Sequence, residues 1–227
     1  MTAPRQLLDC PDRSNVGRRL RLAPNAGPQA VLDVRGDDAA ARAVTVVITI
    51  APTIPVDALG PDDIVARRDE LRARAIVEAG VGGHTLKLEA DVGAGVVFAA
   101  SVSSLRVSAV NDGGAPVEVG AFLGYGSTPS AAPRLTLYPR EVGFREPIEL
   151  DVPDFATAVE VLRPPSTELL VEVALGRSGP RWLYGDRVFF DERMRPLPLA
   201  NGCRRVRITS LTTGTRFSPV VLFTLAF

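Results

Sequence analysis

The chain has few of the side chains that most often carry chemistry. Its 227 residues include one histidine, two cysteines and one tryptophan, and aromatic residues make up 6% of the total. A catalytic triad or a histidine-based zinc site would have to use His84, which lies in the turn-like stretch Val81-Gly-Gly-His-Thr85 with neither cysteine near it in sequence. We therefore predict that His84 is a turn or surface residue. We also predict no catalytic residue, no cofactor, no cofactor-binding residue and no metal ligand.

Glycine-rich and acidic stretches do not add a recognisable active site. Gly80-Val-Gly-Gly83 lacks the Gly-Lys-Ser/Thr of a phosphate-binding loop and does not precede a helix. Adjacent carboxylates such as Asp62 and Asp63 leave a glycosidase open as the least favoured class, since paired carboxylates can cleave sugars on β-sandwich folds. The low aromatic content argues against sugar stacking. The sequence predicts that the protein is not an enzyme.

The chain also lacks a net charge and a long apolar run. With 26 basic and 26 acidic residues, it does not have the basic excess typical of a dedicated nucleic-acid binder. No apolar run approaches the 18 residues needed to cross a bilayer, so we expect no membrane span. The first ten residues lack the apolar core of a secretory signal, so we expect assembly inside the cell. Lys87 is the only lysine, and arginine is the cation enriched at protein interfaces.

Two short patterns leave alternatives open. Cys10 and Cys203 fit no Cys-x-x-Cys spacing, and either a single bridge or two reduced buried thiols is compatible with them, the reduced form being favoured. Arg35-Gly36-Asp37 matches the integrin-recognition tripeptide, and a tight glycine turn explains it equally well.

Short alternating strands dominate the rest of the sequence. Segments such as Leu86-Lys-Leu88 and Ile148-Glu-Leu-Asp-Val152 place apolar groups on one face and polar groups on the other, which is typical of strands with one buried face. Turn residues separate these runs at intervals typical of a sandwich or barrel. We predict an all-β fold, an antiparallel β-sandwich of jelly-roll type. The predicted strands cover residues 31–35, 43–50, 84–90, 96–101, 105–110, 117–123, 134–138, 147–152, 157–162, 168–175, 187–190, 204–210 and 220–227.

Two segments depart from the strand pattern. Pro61-Asp62-Asp63 is a favourable first helical turn, and Gly80 is a suitable end, so we predict one amphipathic helix at about residues 61–79. Residues 1–29 carry four prolines and five arginines, which indicates an extended N-terminal arm. The predicted organisation is an arm over residues 1–29 and a single β-sandwich domain over residues 30–227.

Two features favour a protein that packs against other subunits. Acids outnumber bases eight to three over residues 140–175, whereas bases outnumber acids nine to three over residues 177–227. Such opposed charges suit either head-to-tail subunit contact or pairing within one sandwich. The chain ends on the apolar run 220–227, which must be central in a sheet or covered by a partner. The predicted subunit-interface residues are Arg5, Arg18, Arg19, Arg21, Trp182, Tyr184, Arg187 and Arg193.

An arginine-bearing arm, a strand-rich body and the closing segment Cys203-Arg-Arg-Val-Arg-Ile-Thr-Ser210 together resemble single jelly-roll structural proteins of virus and phage particles, at the level of architecture. The resemblance implies a capsid, decoration or tail component located in the virion or another intracellularly assembled particle. Its expected partners are copies of itself and other structural proteins of the assembly. Nucleic acid is a weak further candidate for the arm, whose basic excess is small. The alternative is a carbohydrate- or receptor-binding β-sandwich module.

Overall fold

The fold is all-β, as predicted. The structure is a computed structural model that describes residues 16–23, 27–34, 42–52, 74–91, 94–110, 116–126, 132–139, 142, 144–162, 167–175, 181–188, 196–200, 202–214 and 216–227. Within these ranges the chain forms fifteen strands and no helix. The first seven are β1 (Val16–Leu22), β2 (Gln29–Asp33), β3 (Ala43–Pro52), β4 (Arg74–Val81), β5 (His84–Asp91), β6 (Gly95–Val110) and β7 (Val117–Gly124). The others are β8 (Arg134–Tyr138), β9 (Ile148–Asp151), β10 (Ala156–Leu162), β11 (Leu169–Leu175), β12 (Arg181–Val188), β13 (Leu197–Pro198), β14 (Cys203–Ser210) and β15 (Val220–Leu225).

The same strand-pairing pattern occurs twice along the chain. In the first unit, strands β1 to β7, one layer has the order β1-β7-β3-β6 and the other has the order β2-β6-β4-β5. In the second unit, strands β8 to β15, the corresponding layers are β8-β15-β10-β13 and β9-β14-β11-β12. Strand β6 belongs to both layers of the first unit because its 16 residues pair with β3 near one end and with β4 near the other. Two antiparallel layers with non-sequential strand order confirm the predicted sandwich of jelly-roll type.

The two units are joined through strands β6 and β8. These strands pair antiparallel, with Phe98 opposite Leu135, and both side chains are fully buried. The buried apolar residues of both units form one cluster, so the units share a core. The sequence predicts a single domain over residues 30–227, and this organisation stays a prediction.

The predicted helix over residues 61–79 is wrong from residue 74 onward. Residues 74–79 belong to strand β4, which pairs with both β5 and β6, and residues 61–73 lie outside the described residues. In β4 the residues Ala75, Val77 and Ala79 are buried and alternate with more exposed ones. Good helix formers such as arginine, alanine and glutamate suggested a helix, but burial between two neighbouring strands overrides that weak preference.

The structure bears on what was expected of the N-terminal arm and of the apolar C-terminal run. Part of the predicted arm, Val16–Leu22, is strand β1 and pairs along its whole length with β7. Residues 1–15 lie outside the described residues, so the rest of the arm stays a prediction. The apolar C-terminal run forms β15, which lies between β8 and β10. This placement confirms that the run is central in a sheet.

Candidate interaction surfaces

One side of the molecule is a broad sheet surface with few charges. Strands β1, β7, β3, β6, β8, β15 and β10 lie side by side across both units. Side chains alternate along each strand; Ala121, for example, is 3% exposed and its neighbour Phe122 is 41% exposed. We call the surface formed by the outward-pointing residues of these seven strands the outer face. One row of paired residues crosses it in the order Gly17, Phe122, Val47, Val97, Thr136, Leu222 and Glu160.

Apolar and small residues dominate the rows on either side of this one, with Arg134 on β8 as a charged exception. The next row contains Gly120, Thr49, Gly95 and Tyr138, and it begins at Arg19 on β1. Seven large apolar or aromatic side chains of the described residues are exposed, and three of them lie on the outer face: Phe122, Tyr138 and Leu162. Antiparallel sandwiches usually present polar groups on their outward faces. An outward face of this composition is typical of a surface that packs against another protein.

The outer face has a shallow depression of about 380 Å³ where β1, β7 and β3 meet. Its floor is open because Gly17 and Gly120 carry no side chains. A Cβ atom at Gly120 would lie 2.6 Å from the Oγ1 atom of Thr49, which is too close for two heavy atoms that are not bonded. The ring of Phe122 borders this depression. The outer face thus has both a recess and a protruding aromatic ring.

The opposite layers of the two units are charged. In the first unit, Arg74 pairs with Glu89 at 2.8 Å and Lys87 with Glu78 at 3.5 Å. In the second unit the paired side chains are Arg205 with Glu149 at 2.7 Å, Arg205 with Asp151 at 3.6 Å, Arg207 with Glu172 at 2.7 Å and Arg204 with Asp154 at 3.2 Å. These layers therefore have the charged, solvated surface of an ordinary soluble protein, in contrast to the outer face.

These ion pairs bear on the charge segregation seen in the sequence. The acids Glu149, Asp151, Asp154 and Glu172 come from the acidic segment, and their arginine partners come from the basic segment. The two segments meet because strand β14 lies between β9 and β11. Of the two sequence-based interpretations, pairing within the chain is therefore the one observed for these residues.

The predicted interface arginines at residues 18–21 lie on strand β1 at the edge of the outer face. Arg19 is mostly exposed and forms an ion pair of 2.8 Å with Glu118 of β7. Arg21 is exposed. Arg18 is half-buried near Tyr125, where burial raises the pKa of the Tyr125 hydroxyl and the positive charge of Arg18 opposes that rise.

Three of the other predicted interface residues, Trp182, Tyr184 and Arg187, lie on β12, which belongs to a different sheet from β1. Trp182 is on β12 of the second unit, where the guanidinium of Arg207 lies over its ring at 4.0 Å from the centroid. Tyr184 and Arg187 belong to the same strand, but their side chains lie outside the described part of the structure. Arg5 and Arg193 also lie outside it. Among the residues whose side chains the structure describes, the three arginines lie on β1 and Trp182 lies on β12, and the role of all eight as interface residues stays a prediction.

The outer face was not predicted from the sequence. A signal was present in the run Val44-Thr-Val-Val-Ile-Thr-Ile50, where nearly every residue is β-branched, so that neither face of the strand is charged. Such a pattern indicates a strand covered on both faces. The core of the protein covers one face of β3, and the other belongs to the outer face.

A groove of about 440 Å³ separates the charged layers of the two units. The edge of β5 lies on one side of the groove and the edge of β9 on the other. The apolar part of the lining is formed by Leu88, Val96, Leu137 and Leu150. Its charged part comes from Arg74, Lys87 and Glu89 on one side and from Glu149, Asp151, Asp154 and Arg205 on the other. The groove thus combines an apolar lining with charged side chains on both sides.

His84 occupies the predicted surface turn. It is exposed and follows Gly82 and Gly83, whose φ angles are +59° and +82°. Its ring centroid lies 4.5 Å from that of Phe155 and 5.7 Å from that of Phe227. Three chain segments that are distant in sequence therefore meet in one small, exposed aromatic cluster.

Several sequence-based expectations have only a partial outcome. Cys203 is 4% exposed, while Cys10 lies outside the described residues, so their pairing is untested. The Arg35-Gly36-Asp37 tripeptide also lies outside them. Within the described residues, no group of three histidine, cysteine or acidic side chains is placed to hold a metal ion. No helix long and apolar enough to cross a bilayer occurs in that part of the chain.

Comparison with known proteins gave structural likenesses alone. No protein-family model matches the chain, and no curated protein matches it either. A turret protein in Sulfolobus turreted icosahedral virus is 9% identical, with 94% of this chain and 98% of that chain covered and a TM-score of 0.33. The protein YhaK from Escherichia coli is 10% identical, with coverages of 94% and 87% and a TM-score of 0.30. The vicilin from Solanum melongena is 7% identical, with coverages of 93% and 75% and a TM-score of 0.28. No shared function follows from likenesses at these TM-scores.

Proposed function

We propose that this chain is a non-enzymatic structural protein that packs against copies of itself through its outer face, as a capsid, decoration or tail component of a virus or phage particle. The observation that carries the proposal is the contrast between the largely uncharged outer face and the charged, ion-paired layers on the other side. The role in a virus or phage particle is proposed from the jelly-roll architecture, which the structure contains in two joined units.

A second copy of the same chain suits the outer face in both apolar content and charge. Arg19 lies on β1 at one edge of this face and Glu160 on β10 at the other, and Arg134 on β8 is the charged residue between them. In such a dimer the two outer faces pack against each other around a two-fold axis that is parallel to the strands and passes close to Val97. The strands of the facing copy then follow one another in the opposite order. Phe122 then faces the partner subunit's Leu222, and the basic edge of one copy lies near the acidic edge of the other. Such self-complementarity is the requirement for an isologous interface.

The position of Trp182 argues against the alternative, a carbohydrate-binding module, in which this ring would stack on a sugar. The ring of Trp182 lies under the guanidinium of Arg207, which also pairs with Glu172 at 2.7 Å. A sugar that stacked on this ring would have to displace the guanidinium and break its arrangement with the carboxylate. The proposed function therefore assigns Trp182 to the stability of the second unit.

The experiment compares two phenylalanine variants in the full-length protein. Phe122 and Phe144 have similar exposure, 41% and 37%, but only Phe122 lies on the outer face. We expect Phe122→Asp to shift the protein towards the 24.1 kDa monomer in sedimentation velocity, because it buries a charge in the apolar contact. We expect Phe144→Asp to keep the oligomer. Equal behaviour of the two variants, with circular dichroism showing both folded, would remove the outer face from the proposal.

A further inference from the structure

The groove between the units has a strand edge on each side. Among the described residues, β5 pairs with β4 alone and β9 pairs with β14 alone. Both edges line the groove. On the outer face the units are joined by direct pairing of β6 with β8, whereas on this side their layers are interrupted. An edge strand presents backbone N–H and C=O groups that favour pairing with an added strand.

We propose that this groove binds an extended segment from the N terminus of a second copy, residues 5–10, as an added strand between β5 and β9. This inference rests on the proposed self-association, and the added strand is one contact between two copies. The added backbone would hydrogen-bond to the strand edges, while alternate side chains would point towards the groove lining and away from it. It would join the two interrupted layers into one continuous sheet.

The sequence of this segment suits the site. Proline lacks a backbone N–H and interrupts strand pairing, and residues 5–10 form the proline-free stretch between Pro4 and Pro11. Six residues are sufficient to pair with β9, which is four residues long. The segment Arg5-Gln-Leu-Leu-Asp-Cys10 has two adjacent leucines, so either register directs one leucine towards the apolar lining formed by Leu88 and Leu150.

The charge of the groove also suits this segment. Glu149 and Asp151 share one arginine partner, Arg205, at 2.7 and 3.6 Å. The Asp151 side chain is 61% exposed. Two carboxylates beside one guanidinium leave a net negative charge at the β9 edge. Arg5 would bring a second guanidinium to this edge, whereas Asp9, the one acid of the segment, needs a cation, which Arg74 and Lys87 of the groove lining can supply.

The course of β1 favours a second copy over the same chain as the source. Following the strand pairs across the sheet, Val16 is level with Phe98, whereas Arg19 is level with Gly95, which lines the groove. Strand β1 therefore runs towards the groove end of the sheet, and Val16, its first residue, lies at the other end. Strand β1 is also four strands from β8, a separation of about 19 Å at about 4.8 Å per strand.

A disulfide-trapping experiment in the full-length protein tests this contact, because Cys10 lies at the end of the proposed strand. The variant Cys10→Ser/Asp151→Cys has a thiol in the groove and none in the segment. It is mixed with the wild-type protein, which has Cys10 and no groove thiol, and is oxidised with oxidised glutathione. Neighbouring strands bring Cα atoms to within about 4.5–5.5 Å, a separation that a disulfide can span. Cys10→Ser/Glu149→Cys repeats the test at a second position.

We expect a disulfide-linked heterodimer, identified in non-reducing peptide mass spectrometry by the linked peptide that joins Cys10 to the introduced thiol, at a several-fold higher yield than with the control Cys10→Ser/Thr213→Cys. Thr213 is exposed and does not line the groove. Yields equal to the control at both groove positions would overturn the site. An intrachain bridge in Asp151→Cys alone, without heterodimers in the mixture, would overturn the second-copy source. Either failure leaves the outer-face proposal standing, since Phe122→Asp tests that proposal independently.

Discussion

Phe98 of β6 and Leu135 of β8 lie opposite each other where the two jelly-roll units meet, and neither side chain has any exposed surface. This pair connects the core of the first unit to that of the second. Trp182, the only tryptophan of the chain, lies in the second unit and therefore reports on the unit that does not contain Phe98.

We expect Phe98→Ala to lower the free energy of unfolding by about 3–5 kcal/mol, because it removes a fully buried ring and leaves a cavity. Since the units share a core, the urea transition followed by tryptophan fluorescence should move together with the one followed by circular dichroism. Phe144→Ala, at an exposed site, should change stability by about 1 kcal/mol or less. A fluorescence transition unmoved by Phe98→Ala would show that the units unfold separately.

The stacked arginine predicts a difference between two conservative variants. Arg207 lies over the Trp182 ring and pairs with Glu172, and both charged side chains are largely buried. We expect Arg207→Lys to destabilise the protein by about 1 kcal/mol and to alter the tryptophan emission, because lysine cannot stack its planar group on the ring. Arg204→Lys, at a more exposed ion pair with Asp154, should leave both properties nearly unchanged. Equal effects of the two variants would contradict the assigned stacking.

The two glycines of the β4–β5 turn form a matched pair. Gly82 and Gly83 both have positive φ angles, but only Gly82 lies against Phe227, where an added Cβ would be 3.1 Å from the ring. We expect Gly83→Ala to destabilise the protein by about 1–2 kcal/mol through backbone strain alone. Gly82→Ala should cost more, because the Phe227 ring must also shift. Thermal unfolding of the two variants measures the difference, and an equal loss in both would mean that Phe227 is not held against the turn.

The half-buried tyrosine predicts a loss of stability at high pH. Burial raises the pKa of Tyr125 above its usual value of 10.0. Between that value and the raised folded-state pKa, the native state binds more protons than the unfolded state, so the free energy of unfolding falls as the pH rises. We expect Tyr125→Phe to show a smaller fall above pH 10 in urea titrations at fixed ionic strength. An unchanged pH profile in this variant would contradict the assignment.

The sequence predicted the fold class because strands with one charged face alternate clearly. Residues 134–138 were predicted with the bounds that β8 has. The apolar run at residues 220–227 was expected to be either central in a sheet or covered by a partner, and the structure shows the first of these placements. Strand β1 was not predicted because its three arginines, Arg18, Arg19 and Arg21, make the segment polar. Leu20 and Leu22 alone are too few to show a clear alternation. The two strands predicted at 96–101 and 105–110 are one strand, β6, which crosses from one layer to the other.

The candidate surfaces were harder to predict than the strands. The outer face depends on the register that aligns Phe122, Val47 and Val97 across three strands, and register between distant strands is not encoded in local periodicity. The groove likewise depends on which edges the two units present to each other. Of the interface residues predicted from the sequence, those within the described ranges lie on β1 and on β12, which belong to different sheets.

The absolute mass of the native protein by multi-angle light scattering, over a range of protein and salt concentrations, tests the central claim most directly. An outer face that packs against a second copy predicts a multiple of 24.1 kDa that changes little as salt rises, since apolar contacts are not screened. A mass of 24.1 kDa at every protein concentration and every salt concentration would contradict self-assembly through this face.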